Sequence, residues 1–251
     1  MFLRYFVELS YNGKDYHGWQ YQPNAISVQE VIEDALTVLI GEKTNVVGCG
    51  RTDAGVHAIQ YYMHFDAAHE IEECNLKFKL NAFLPESISI HELFLVKEND
   101  HARFDAMSRT YEYRIYLGKN PFFLDTTWQV NNRVYDLDKM NAASKILYDF
   151  SNFKAFSKSK TDVKTYDCTI RHAEWIKEGN HLTFHITANR FLRNMVRAIV
   201  GTLIDVGIGK TTLDDFKKII ENKDRTSAGA SVKAKGLFLT KVNYPDSILK
   251  N

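Results

Sequence analysis

Residues 50 to 58 read Gly50-Arg51-Thr52-Asp53-Ala54-Gly55-Val56-His57-Ala58. They place a carboxylate, Asp53, two residues after a guanidinium, Arg51, between glycines that allow a tight turn and the close approach of a ligand. An ionised Asp in such a loop can serve as a base, a metal ligand or a nucleophile. A metal site calls for more ligands, and only His57 lies nearby, with no second carboxylate. His57 reads as a hydrogen-bonded structural residue and Cys49 as a buried core thiol. A carboxylate without a paired acid suits a nucleophile or base that acts on a large bound substrate.

Other stretches offer partners for that acid. Over residues 190–206 the spacing predicts a helix with a broad apolar face, from Phe191 to Ile204. Arg190, Arg193 and Arg197 fall three and four apart, which on a helix makes one cationic stripe. The stripe reads either as a solvated cationic face, the usual fate of such charges, or as a site in which one arginine turns toward a carboxylate while others meet phosphate. Tyr111 and Tyr113 share one face of a predicted strand beside Arg109 and Arg114; one is expected in the core, and the other offers a stacking ring and a hydroxyl. Gly18-Trp19-Gln20-Tyr21-Gln22 and His101-Ala102-Arg103-Phe104 add aromatic and basic mixtures of the kind that bind RNA.

The elements that must position these residues are legible in part. Leu3 to Tyr11 alternate as a half-buried strand. Residues 27–42 form the clearest helix, opened by a Ser27/Glu30 capping box and stopped near Gly41. Val46-Val47 lead as a strand into the glycine loop, followed by a strand at 59–65 and a short helix at 75–83. A similar order recurs: a strand at 109–116, a helix at 137–149, strands at 167–176 and 181–188, a helix at 212–222 and a strand at 236–243. The lysine-rich stretch 154–164 reads as an exposed loop. Interleaving without strict β-α-β alternation indicates an α+β fold with a largely antiparallel sheet.

Bulk properties set the frame. A chain of 251 residues, 45% hydrophobic, holds one large domain or two modest ones. No signal peptide is expected, since Arg4 and Glu8 interrupt the first apolar residues, and no run approaches a membrane span. Cys49, Cys74 and Cys168 are odd in number and lack zinc spacing, which fits reduced thiols in a cytoplasm. The net charge of +1 hides an asymmetry: residues 151–251 carry +8 and residues 1–150 carry −7. A basic half suggests a polyanionic partner.

In order along nearly the whole chain, GWQYQP (18–23), GRTDAGVHA (50–58), LPESISI (84–90), HARFDAMSRTYEYRI (101–115), NRFLRNMVRAIVGTL (189–203) and AGASVKAKGLFLTKVNYP (228–245) resemble the blocks of the TruA-type tRNA pseudouridine synthase family. The resemblance implies the pseudouridine synthase fold, two ferredoxin-like halves sharing one long, mostly antiparallel sheet with helices packed on it. The halves are expected at 1–105, carrying the aspartate loop, and at 106–251, basic and tRNA-binding. The implied activity is isomerisation of uridines 38, 39 and 40 of the tRNA anticodon stem-loop to pseudouridine. The implied setting is a cytoplasmic homodimer that needs neither cofactor nor metal and no membrane. The resemblance carries the nucleophile onto Asp53, the uracil-contacting tyrosine onto Tyr111 and the arginine that pairs with the aspartate onto Arg197. Arg51 would assist at the flipped nucleotide and Leu237 pack against the base. The chain departs from the family pattern at Gln60-Tyr61, where a Gly-Gln pair is usual, and at Ser151-Asn152-Phe153, where many relatives have His-Asp-Phe. Two rival readings of the same residues are a non-catalytic tRNA binder that keeps the scaffold and a metal-dependent phosphoesterase built on Asp53 and His57.

Overall fold

Apolar alternation from Leu3 produces β1 (Leu3–Tyr11), the central strand of the first of two compact units. The computed structural model describes residues 2–131, 133–158 and 163–249. One unit comprises Met1–Ser108 with Phe238–Asn251, the other Arg109–Leu237.

In the first unit β1 is followed by α1 (Val28–Ile40), β2 (Val46–Gly48), β3 (His57–Ala67), α2 (Glu73–Phe83) and β4 (Ile88–Val96). β1 pairs antiparallel with both β3 and β4, and β2 pairs antiparallel with β3. The strand order β4-β1-β3-β2 with a βαββαβ sequence is the ferredoxin-like arrangement. α1 starts and stops as its sequence predicts. Ser27 Oγ accepts from the Glu30 amide, the Glu30 carboxylate accepts from the Ser27 amide, and Gly41 closes the helix at φ 85°. β1 is more buried than alternation suggests, because Phe6 on its second face packs on His64, Phe94 and Tyr244. β4 is not among the strands that the sequence pattern predicts, where Leu84–Ile90 stands only as a motif.

The second unit contains β5 (Ser108–Leu117), β6 (Trp128–Val130), α3 (Leu137–Ile146), β7 (Ile170–Glu178), β8 (His181–Ala188), α4 (Met195–Gly207) and α5 (Leu213–Asn222). β8 lies antiparallel between β5 and β7, and β6 runs parallel to β5. The order β5-α3-β7-β8-α4 thus repeats β1-α1-β2-β3-α2. The inward face of the strands, with Tyr113, Ile115, Trp175, Phe184 and Ile186, is buried.

Three local expectations change here. The strand expected from 167 begins at Ile170, since the Cys168 amide donates to the Ser151 carbonyl and Asp167 bridges Asn152. The helix expected to run to 149 ends at Ile146 and tightens into a 3-10 turn over Leu147–Asp149. The lysine-rich stretch is not simply an exposed loop. Lys154, Lys158 and Lys164 are exposed, but Phe153, Ala155 and Phe156 are buried beneath them, and Lys160 lies outside the described residues.

From residue 238 the chain returns to the first unit. There β9 (Leu237–Asn243) pairs in parallel with β3 at His57 and Ala58, and α6 (Asp246–Leu249) ends the described chain. Because β1 occupies one edge of β3, β2 and β9 share the other edge at opposite ends. Gln60 extends the docking of β9 with its side chain: Oε1 accepts from the Val242 amide at 3.0 Å while Nε2 donates to Glu8 at 2.9 Å. The amide at this departure from the family pattern does the work of a backbone carbonyl. Nine strands, mostly antiparallel, and six α-helices make an α+β chain among the described residues.

Candidate active site

The loop bearing Asp53 spans the gap between Gly48, the end of β2, and His57, the start of β3. Its backbone is pinned at several points. The Cys49 amide donates to the Tyr62 carbonyl at 2.7 Å, and the Val56 amide donates to the Asp53 carbonyl at 3.1 Å, closing a turn around Gly55 at φ 75°.

Residues 12–19 form a cradle for this loop. The Gly13 amide donates to His57 Nδ1 at 3.1 Å, the Gly55 amide to the Tyr16 carbonyl at 3.1 Å and the Trp19 amide to the Thr52 carbonyl at 3.4 Å. The approach is backbone to backbone. A Cβ at Gly13 would sit 1.9 Å from the Val56 carbonyl oxygen, and one at Gly18, where φ is 90°, 2.3 Å from that of Thr52. Glycine is required at both positions.

Side chains then alternate in exposure. Thr52 is buried, Asp53 is half-buried and Arg51 is exposed. His57 is buried, with its ring stacked on Phe238 at 4.5 Å and Nδ1 taken by Gly13, so it is a structural residue. Among the described residues, no three His, Cys, Asp or Glu side chains gather as metal ligands, and no helix is long and apolar enough to cross a membrane. Cys49 and Cys168 are buried, Cys74 is exposed, and burial pushes the Cys168 thiol up to about 11.

The second unit carries Tyr111, Arg197 and Leu237. Tyr111 sits on β5 opposite Ile186, half-buried, with its ring edge-on to Phe191 at 5.1 Å. Tyr113, on the same face, is the core member of the pair: it is fully buried, donates to the Lys233 carbonyl at 2.8 Å, and its phenol is raised far above the ordinary value by burial.

The arginine stripe expected on helix 190–206 does not exist. α4 begins only at Met195, because Asn194 adopts φ 65° and the Met195 amide turns back to the Leu192 carbonyl. Arg190 and Arg193 therefore precede the helix, where the Arg193 carbonyl accepts from the Lys158 amide. Arg197 alone is helical. Its Nε donates to the Val232 carbonyl at 2.8 Å, and its own carbonyl accepts from the Val232 amide at 3.2 Å.

Those bonds belong to a strap, residues 228–237, laid along α4. The Gly229 amide donates to Thr202 Oγ1 at 2.9 Å, and Asn194 Nδ2 to Ser231 Oγ at 2.6 Å. A Cβ at Gly201 would fall 1.8 Å from the Ala230 carbonyl oxygen. Arg225 spends its guanidinium on the Gly229 carbonyl at 3.1 Å and Ser231 Oγ at 2.9 Å. The strap ends in buried Leu237. Arg225, Asn194 and Thr202 are not singled out by the sequence, since their hydrogen bonds to the strap leave no periodic signal.

Of the aromatic and basic mixtures, Trp19 is core rather than surface, while Phe104 is 74% exposed, flanked by the His101 ring at 4.3 Å and the Arg103 guanidinium at 5.7 Å.

The chain resembles proteins of described activity. A family model described as tRNA pseudouridine synthase matches residues 148–245. The chain is 49% identical over 246 residues to tRNA pseudouridine synthase A of Parabacteroides distasonis, covering 98% of this chain and 97% of that protein. It is 49% identical over 249 residues to the protein of that name from Bacteroides fragilis, covering 98% of each. To that of Bacillus licheniformis it is 39% identical over 246 residues, covering 96% of this chain and 99% of the relative.

Proposed function

We propose, from the premise that this chain belongs to the tRNA pseudouridine synthase family, that it converts uridines 38, 39 and 40 of the tRNA anticodon stem-loop to pseudouridine with Asp53 as the nucleophile. Membership makes it an isomerase acting on tRNA. The reaction breaks the bond between N1 of uracil and C1′ of ribose, turns the base and joins C5 to C1′. A proton leaves C5 and one is gained at N1, so no redox partner is consumed.

The observation that carries the reading is the placement of Asp53. It is a half-buried carboxylate on a loop held by the 12–19 cradle on one side and by β3 on the other, with Arg51 turned outward beside it. Fixed geometry of this kind lowers the entropic part of a barrier. The target base must leave its stack, at a cost of a few kcal/mol. In this reading Tyr111 and Leu237 offset part of that cost against the uracil, Arg51 assists at the vacated nucleotide, and Arg197 pairs with the aspartate to keep it charged. Asp53 then attacks C1′ of the ribose or C6 of the base, or assists proton loss at C2′. The basic C-terminal half holds the tRNA backbone, no metal or cofactor takes part, and the enzyme works as a cytoplasmic homodimer.

The test is Asp53→Asn with a tRNA transcript in which the three positions are mapped for pseudouridine. Activity is expected to fall at least about a thousandfold while tRNA affinity changes little. A variant that retains full activity would refute the nucleophile assignment. Modification confined to uridines elsewhere in the tRNA would refute the assignment of positions.

A further inference from the structure

Two buried tyrosines grip the Asp53 loop from beneath. Tyr61, on β3, is fully buried; its ring stacks on Trp19 at 4.1 Å and its hydroxyl donates to the Gly50 carbonyl. Tyr11, at the end of β1, meets Tyr61 edge-on at 5.6 Å and shares a hydrogen bond of 2.9 Å with Thr52 Oγ1. The two anchored residues flank Arg51, and the second directly precedes Asp53.

Little freedom remains in this cluster. A Cβ at Gly48 would fall 2.2 Å from Tyr61 Oη and 2.6 Å from the Trp19 ring. The hydroxyls are therefore fixed by close-packed aromatic rings, and the loop atoms they hold are fixed in turn. Without the anchor at Gly50, the glycine at the loop's entrance would be the natural place for the backbone to swing.

We propose that Tyr61 and Tyr11 are positioning residues for the isomerisation: they transmit the rigidity of the aromatic core to the Asp53 carboxylate through the Gly50 carbonyl and the Thr52 hydroxyl. The proposal rests on the reading of Asp53 as nucleophile. It also gives Tyr61, where the family pattern usually has glutamine, a task that depends on its hydroxyl. Neither tyrosine touches the substrate in this account, so the effect falls on the geometry of attack and not on tRNA affinity.

The experiment compares Tyr61→Phe, Tyr11→Phe and the double variant in steady-state and single-turnover assays with a tRNA transcript, alongside Asp53→Asn. The assays run well below the midpoint of thermal unfolding, which is measured for each protein. Phenylalanine keeps the ring stack and deletes only the hydroxyl. Tyr61→Phe is expected to lower kcat and the single-turnover rate about tenfold or more, Tyr11→Phe to lower them less, and KM to stay within about twofold. An unchanged single-turnover rate in both single variants overturns the proposal. So does a loss that appears only in KM, or one that tracks the unfolded fraction and disappears on cooling. Inactive Asp53→Asn beside unaffected tyrosine variants discards the positioning role and leaves the nucleophile assignment standing. Active Asp53→Asn discards the nucleophile, and the positioning role with it.

Discussion

His64 shows how far a single side chain can set a condition on the protein. It lies buried on β3, stacked on Phe6, and its Nδ1 accepts from the Ala102 amide at 3.0 Å. Burial lowers its pKa to about 4, with the Arg4 guanidinium and His101 acting in the same direction. Above about pH 6.5, the ordinary histidine value, folded and unfolded chains both carry a neutral ring, and the group adds nothing to the pH dependence of stability. As pH falls from there toward 4, the unfolded chain takes up a proton that the folded protein refuses, so stability declines. The expected loss across that window is on the order of 2 kcal/mol. Urea unfolding at pH 7 and pH 4.5 measures it, and His64→Gln is expected to flatten the dependence. Asp53 and Tyr61 show the same contrast between type and setting. A sequence displays the carboxylate and the phenol, but only packing shows that one is half-exposed on a pinned loop and the other is fully buried under it.

Among the elements, α4 departs most from the pattern that announced it. Its apolar residues are buried nearly all round, as the run of Met195 to Val206 foretells. Its start is set by Asn194 in the left-handed region and by the turn onto Leu192, a choice made by tertiary contacts against a helical spacing that continues upstream. The strap of 228–237 explains why the helix carries Gly201. A methyl group there meets the Ala230 carbonyl at 1.8 Å, so Gly201→Ala must lift the strap that bonds Arg197. Overpacking of this kind costs about 1–3 kcal/mol. The expected outcome is a lower unfolding midpoint together with reduced activity, read by calorimetry and by pseudouridine formation. α1 behaves in the opposite way. Its capping box and terminal Gly41 are local devices, and they hold in the fold as they read in the chain.

For the whole molecule, charge follows the two units. Arg109–Leu237 contains 22 Lys and Arg against 14 Asp and Glu, a net charge of +8, while the remainder carries −7. Affinity for tRNA is therefore expected to fall on the order of tenfold or more between 50 and 200 mM salt, as counterions are released on binding. Filter binding at the two concentrations checks it, and a salt-independent affinity would refute the assignment of phosphate contacts to this charge. The sequence by itself determined the α+β class, the repeated order of elements, the caps of α1 and the residue types of the aspartate loop. These depend on periodicity and on neighbours a few positions away, which a linear chain displays. Only the tertiary structure decided that 238–251 rejoins the N-terminal unit through β9, that Gln60 completes that junction, that Trp19 serves the core, and that Arg190 and Arg193 stand off the helix. Most of these turn on contacts between residues far apart in the chain, where a polar group finds its partner by packing and leaves no period to read.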